Sequence, residues 1–173
     1  MGQEVVYLGL GSNLGDKVAN CRRALEEIAL SGRTKVQIIS SLYKTEPVGY
    51  QDQAWFINCA VQVMTTLAPR ALVRLLQAIE LRMGRTKTFT MGPRIIDLDI
   101  LFYGAASVDE PDLIIPHPRL HERGFVLVPL AEIAPDLPHP VLKKTVNELL
   151  NSIGGKGVES YAAPPTIRVS PLS

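Results

Sequence analysis

The sequence predicts an α+β fold, an antiparallel sheet with helices packed on its faces, and three observations carry that prediction. Apolar residues recur at helical spacing in two long segments, residues 15–32 and 68–84. Shorter segments rich in β-branched and aromatic residues lie between and around them. The two kinds alternate as strand, helix, strand, strand, helix, strand. A chain of 173 residues, 46% hydrophobic and 20% charged, has the means to bury a substantial core.

Each element can be justified in turn. "EVVYLGLG" reads as the first strand, and "GDKVANCRRALEEIALSG" as a helix with Val18, Cys21, Leu25 and Ile28 on one stripe and Gly32 as its stop. "KVQIISSLYKT" and "WFINCAVQVMTT" read as two strands around the polar loop "EPVGYQDQA", an arrangement that fits a hairpin. In "APRALVRLLQAIELRMG", Pro69 stands near the first helical position, Leu72, Leu75, Leu76, Ile79 and Met83 share a face, and Gly84 ends the helix. "IIDLDILFYG" supplies the next strand. This order is that of a ferredoxin-like βαββαβ unit, here a three-layer α/β/α arrangement. Short helices near "VLVPLAEIA" and "TVNELLNSI" follow. Residues 1–154 are expected to form one domain, and the Gly-, Pro- and Ser-rich stretch 155–173 a fraying tail.

Composition excludes several function classes. A net charge of +1 creates no long-range field for a nucleic-acid backbone or an anionic membrane, so any phosphate binding must be local. Cys21 and Cys59 fall in apolar-periodic segments and read as core thiols of a reducing compartment, with a single disulfide between them the competing reading. The start "MGQEVVYLGLGSN" lacks the basic flank and apolar run of an export signal, and Val6 stands where a myristoylation signal takes Ser or Thr. A cytoplasmic protein is expected.

The stretch "GPRIIDLDILFYG" holds the main chemical signal. Side chains alternate along a strand, so Asp97 and Asp99 share one face while Ile96, Leu98 and Ile100 share the other. Carboxylates so placed lie roughly 6 to 7 Å apart and repel by about 2 to 3 kcal/mol at an effective dielectric near 20. A hard cation such as Mg²⁺ between them would reverse that sign. A solvated outer face of an edge strand is the competing reading. The preceding run "LRMGRTKTFTMGPR" carries Arg82, Arg85, Lys87 and Arg94 and no acid, so cations converge on the acid pair as phosphoryl transfer requires. "GLGSNLG" lacks the G-x-G-x-x-G spacing of a dinucleotide loop and reads as a tight turn in which Asn13 or Asp16 caps the helix. In "HPRLH", Pro118 separates His117 from His121, and a phosphate contact by His117 suits better than zinc.

Together "GLGSNLGD", "TEPVGYQDQAWFINCAV", "IELRMGR", "GPRIIDLDILFYG" and "IPHPRLHERGFVLVPLAEIAP" resemble the 6-hydroxymethyl-7,8-dihydropterin pyrophosphokinases of folate biosynthesis, over residues 4 to about 150. The resemblance implies transfer of pyrophosphate from ATP to the hydroxymethyl group of a reduced pterin, with AMP released and two Mg²⁺ ions held by Asp97 and Asp99. It implies pterin contacts from Thr45, Glu46, Val48, Phe56, Asn58 and Phe125. Asn58 suits the ring edge because an amide offers donor and acceptor; Phe56 and Phe125 would sandwich the ring. It implies ATP contacts from Gln77, Glu80, Arg85, Lys87, Arg94, Ile100, His117 and Arg123, with Arg85 and Arg94 stabilising charge as the pyrophosphoryl group leaves. A monomer acting on small molecules, without nucleic acid or membrane, is expected. Thr90 and Met91 stand where many relatives carry Arg-Trp, and Pro118 where they often carry Tyr. The basic loop Arg85 to Gly92 is expected to close over bound ATP. A ligand-sensing module and a metal-dependent phosphohydrolase are the alternatives from other classes.

Overall fold

The computed structural model describes residues 2–47, 53–84 and 93–168. Along the chain run β1 (Glu4–Ser12), α1 (Lys17–Leu30), β2 (Thr34–Ile39), β3 (Leu42–Thr45), β4 (Phe56–Thr65), α2 (Pro69–Arg82) and β5 (Asp97–Tyr103). Then come the hairpin β6 (Val108–Glu110) and β7 (Leu113–Ile115), a 3₁₀ turn at Leu120–Glu122, α3 (Gly124–Ile133), α4 (Val146–Ile153) and β8 (Val158–Ala162). The main sheet has the order β5-β1-β4-β3-β8, with β2 also paired to β4, and its pairings are antiparallel. This is the ferredoxin-like α+β arrangement that the element order predicts.

Local chemistry sets the helix ends. Asp16 caps α1, its carboxylate accepting from the Ala19 amide at 3.1 Å. Pro69 opens α2, where its missing N–H costs nothing. Thr145 and Glu148 form a reciprocal capping box on α4. Gly32 and Gly84 follow α1 and α2 with φ of +92° and +90°, a conformation that side chains with a Cβ disfavour.

The two faces of the sheet bury different cores. Val6, Leu8 and Leu10 of β1, Ile57, Cys59, Val61 and Val63 of β4, and Leu98 and Ile100 of β5 pack beneath α1 and α2. Both cysteines are buried free thiols. On the opposite face Tyr7, Ala60, Leu101 and Phe102 pack with Leu120, Leu127, Leu130, Val146 and Leu149. A bulge explains why neighbours Leu101 and Phe102 share that core. The register steps from Tyr7↔Phe102 to Leu8↔Ile100, so Leu101 is an extra residue and the alternation resets after it. The second core covers only part of its face. Gly9, Gly11, Phe56, Asn58, Asp97 and Asp99 instead line a cleft beside α3.

Two segments depart from expectation. The strand expected across residues 35–45 is broken in two at Ser40 and Ser41. The Ser40 hydroxyl accepts from the Ala60 amide at 2.9 Å and donates to the Ser41 carbonyl at 2.7 Å, taking over ladder positions. Residues 158–162, within the stretch expected to fray, form β8 on the otherwise open edge of β3, from Leu42↔Ala162 to Thr45↔Val158. The Glu46 amide donates to the Gly157 carbonyl at 3.1 Å. Gly157 has φ +81°, and a Cβ there would lie 3.3 Å from a Glu46 carboxylate oxygen, a tip able to move aside. Gly157→Ala should therefore cost about 1 to 2 kcal/mol through its backbone conformation, read as a lower denaturant midpoint. An unchanged midpoint would contradict that placement.

Candidate active site

Strand alternation aims the site residues at one cleft. Asn58 of β4 lies one strand from Gly11 of β1, which itself pairs with Asp97 of β5. A Cβ on Gly11 would stand 2.6 Å from Asn58 Nδ2, and one on Gly9 would meet Leu101 at 3.3 Å. The glycines of "GLGS" thus belong to a strand whose missing side chains leave room for the cleft floor. The Thr45 hydroxyl donates to Asn58 Oδ1 at 2.5 Å, and Asn58 Nδ2 donates to the Leu10 carbonyl at 3.3 Å. By the capacity of an amide, each atom retains one further hydrogen-bonding site.

Thr45, Glu46, Phe56, Asn58, Arg94, Asp97, Asp99, Arg123 and Phe125 are among the residues that line the cleft. Phe56 and Phe125 are half-buried and stand outside both core clusters, so their rings serve the cleft wall. Arg94 lies 5.5 Å from the Phe56 ring centre, and Arg123 lies 5.5 Å from that of Phe125. The Arg94 guanidinium pairs with the Asp97 carboxylate. Burial first, and then Arg119, hold the Arg123 guanidinium below its ordinary pKa.

Asn13 fixes Arg94 to the sheet. Its amide N–H donates to the Arg94 carbonyl at 3.0 Å, its Oδ1 accepts from the Arg94 amide at 2.7 Å, and its Nδ2 donates to Gln53 Oε1 and to the Ala54 carbonyl. Asp16 alone caps α1, so of the two residues expected to cap it Asn13 has this other task.

A second, more open cleft of ≈ 1070 Å³, mouth included, adjoins the first. Gln77, Glu80, Asp99, Ile100, His117 and Pro118 are among its lining residues, and Asp99 borders both. Glu80 accepts the Leu98 amide at 2.9 Å and so also holds β5 in place. Arg94 and Arg123, expected at the nucleotide, line the first cleft. Arg82 is turned away, paired with Glu27 of α1 at 3.0 Å. Val48, Arg85, Lys87, Thr90 and Met91 lie outside the described residues, as does the loop expected to close. Sequence reasoning missed Gly9, Gly11 and Asn13; glycines alternating within an apolar strand were the available signal.

His117 is neutral at physiological pH. Burial, with Arg123 and Arg119 adding repulsion, lowers its pKa to about 4. Its Nδ1 accepts the Arg119 amide at 3.3 Å, which leaves the ring proton on Nε2 as a donor toward a ligand. An unfolded His titrates near 6.5, so between about pH 6.5 and 4 the unfolded state binds the extra proton. Stability should therefore fall as pH drops through that window. His117→Gln should flatten the dependence of melting temperature on pH there; an unchanged slope would rule this out.

The model of the 7,8-dihydro-6-hydroxymethylpterin-pyrophosphokinase family matches residues 7–135. The 2-amino-4-hydroxy-6-hydroxymethyldihydropteridine pyrophosphokinase of Methylorubrum extorquens is 45% identical over 153 residues, covering 88% of this chain and 96% of that protein. The Bacillus subtilis protein of the same name is 46% identical over 129 residues, 75% and 77% of the two chains. The folic acid synthesis protein FOL1 of Dictyostelium discoideum is 42% identical over 166 residues, 95% of this chain but 25% of that longer protein. The Plasmodium falciparum HPPK-DHPS structure with pterin and p-hydroxybenzoate shares the fold, with TM-score 0.68 and 18% identity over 88% of this chain and 42% of that one. The fold and the two clefts are those of a small α+β enzyme domain. The chain belongs to the 7,8-dihydro-6-hydroxymethylpterin-pyrophosphokinase family.

Proposed function

We propose that this chain transfers the pyrophosphoryl group of ATP to 6-hydroxymethyl-7,8-dihydropterin, releasing AMP, in folate biosynthesis. The observation that carries the reading is the meeting of the two clefts at Asp99, with Asp97 beside it in the first. The first cleft suits a flat, hydrogen-bonding ring, between Phe56 and Phe125 and against Asn58 and Thr45. The second, with Gln77, Glu80, Ile100 and His117, suits the nucleotide. The hydroxymethyl oxygen then attacks the β-phosphorus, the bond from that phosphorus to the α,β-bridging oxygen breaks, and AMP departs with the electron pair while the hydroxyl proton is lost.

The donor set fits Mg²⁺. Among the described residues no group of three or more His, Cys, Asp or Glu could enclose an ion, and two carboxylates suit one that draws its other ligands from water and phosphate. When bound, the metal would neutralise charge on the phosphate oxygens. Arg94 and Arg123 add fixed positive charge, and the aromatic walls exclude water. Glu46 and Val48 would complete the pterin edge, and Arg85 and Lys87 the phosphate contacts. No helix among the described residues is long and apolar enough to cross a membrane, and the reading is of a monomer acting on free small molecules in the cytoplasm.

The test is AMP formation from ATP and the reduced pterin with and without Mg²⁺. AMP appearing only with pterin and metal together supports the reading. Phosphate release without pterin would favour a phosphohydrolase, and pterin binding without turnover a sensor.

A further inference from the structure

Glu132 does work that the reaction as described does not use. The helix α3, "GFVLVPLAEI", is apolar on nearly all sides, and Glu132 is its only charged residue. Such a helix has no polar face to fix its rotation about its own axis. Its first turn has no side-chain cap, and Pro129 has no N–H for the Phe125 carbonyl four residues earlier. That turn takes its place from the docking of the whole helix.

Leu127 and Leu130 bury the helix in the second core, and Glu132, on the exposed side, adds the polar clamp that ties it to the sheet. Its carboxylate accepts the Ser41 amide at 3.0 and 3.1 Å, the Ser41 hydroxyl at 3.0 Å and the Tyr43 hydroxyl at 2.6 Å. Burial, with this hydrogen bond and charge adding to it, pushes the Tyr43 hydroxyl well above its ordinary pKa, so it remains a donor. Two geometric relations connect the clamp to the cleft. Seven residues make nearly two helical turns, so Phe125 and Glu132 lie on one side of α3 about 10 Å apart along its axis. Tyr43 and Thr45, two apart on β3, share a strand face, and Thr45 holds Asn58. One end of the clamp therefore carries the ring wall and the other the floor.

We propose that Glu132 is a positioning residue that sets the spacing between Phe125 and the Asn58–Thr45 floor, and so the affinity for the pterin ring. The inference rests on the pterin reading of the first cleft.

The test compares Glu132→Ala, Glu132→Gln, Tyr43→Phe and Ser41→Ala with the unaltered protein, by calorimetry with the reduced pterin and separately with a non-hydrolysable ATP analogue. In folded Glu132→Ala the pterin Kd should rise about tenfold or more, with the analogue's Kd changed less than about twofold. Tyr43→Phe should shift the pterin Kd the same way by less. Glu132→Gln, whose amide oxygen still accepts, should recover most of the affinity. A folded Glu132→Ala with unchanged pterin Kd, or with both ligands weakened equally, overturns the inference. If Glu132→Ala does not fold, Tyr43→Phe and Ser41→Ala decide: unchanged pterin Kd in both overturns it. Loss of pterin binding in the unaltered protein would instead refute the assignment of the cleft.

Discussion

Asp97→Ala or Asp99→Ala should lower the rate of pyrophosphoryl transfer by on the order of 10²- to 10³-fold or more, since on the proposed reading each removes a carboxylate that would hold Mg²⁺ against the anionic phosphates. The two variants should differ in stability. Asp99 is exposed at the junction of the clefts, where charge interactions are screened by water, so its replacement should cost less stability than that of Asp97. Asp97 pairs with Arg94, and both side chains are mostly buried, 20% and 18% exposed. Its removal leaves that guanidinium without this partner and should cost about 1 to 3 kcal/mol of stability as well as activity. The Mg²⁺ concentration for half-maximal rate should rise in both. Near-normal turnover in either variant, measured in single-turnover experiments at saturating metal, would sink the assignment of the pair.

Gly11→Ala should damage pterin binding with little effect on ATP. A Cβ there would stand 2.6 Å from Asn58 Nδ2, a separation that real Cβ atoms do not tolerate. The Asn58 amide cannot simply swing away, being held by the Thr45 hydroxyl and the Leu10 carbonyl. Either it leaves those bonds or the strands part. The expected result is at least about a tenfold rise in pterin Kd, with about 1 to 3 kcal/mol lost in stability from overpacking. The second cleft does not include Gly11, so the affinity for an ATP analogue should hold. Equal weakening of both ligands would mean that Gly11 serves the sheet as a whole.

Much of this site is legible in the sequence because it depends on local periodicity. Asp97 and Asp99 fall on one strand face by covalent geometry, and the stripes Cys21, Leu25, Ile28 and Leu72, Leu76, Ile79 must face a core once their segments are helical. The capping residues and stop glycines are equally local. The resemblance of the motifs located Asn58, Phe56 and Phe125; taken singly, the two phenylalanines read equally well as core packing.

What the tertiary structure decided involves partners far apart in the chain. Asn13 serves Arg94 across 81 residues, and Glu132 serves Ser41 across 91. The need for glycine at position 11 arises from Asn58 on the neighbouring strand, and the bulge at Leu101 from its register with β1. β8 is a strand because β3 offers it an edge; its own composition suggested a loose tail. The sequence by itself determined the elements, their order and the faces bearing the acids and the core, since these follow from repeat lengths of two and 3.6 residues. It left open the width of the cleft and the anchoring of its walls, because those are set by hydrogen bonds and steric limits that exist only once distant segments are packed together.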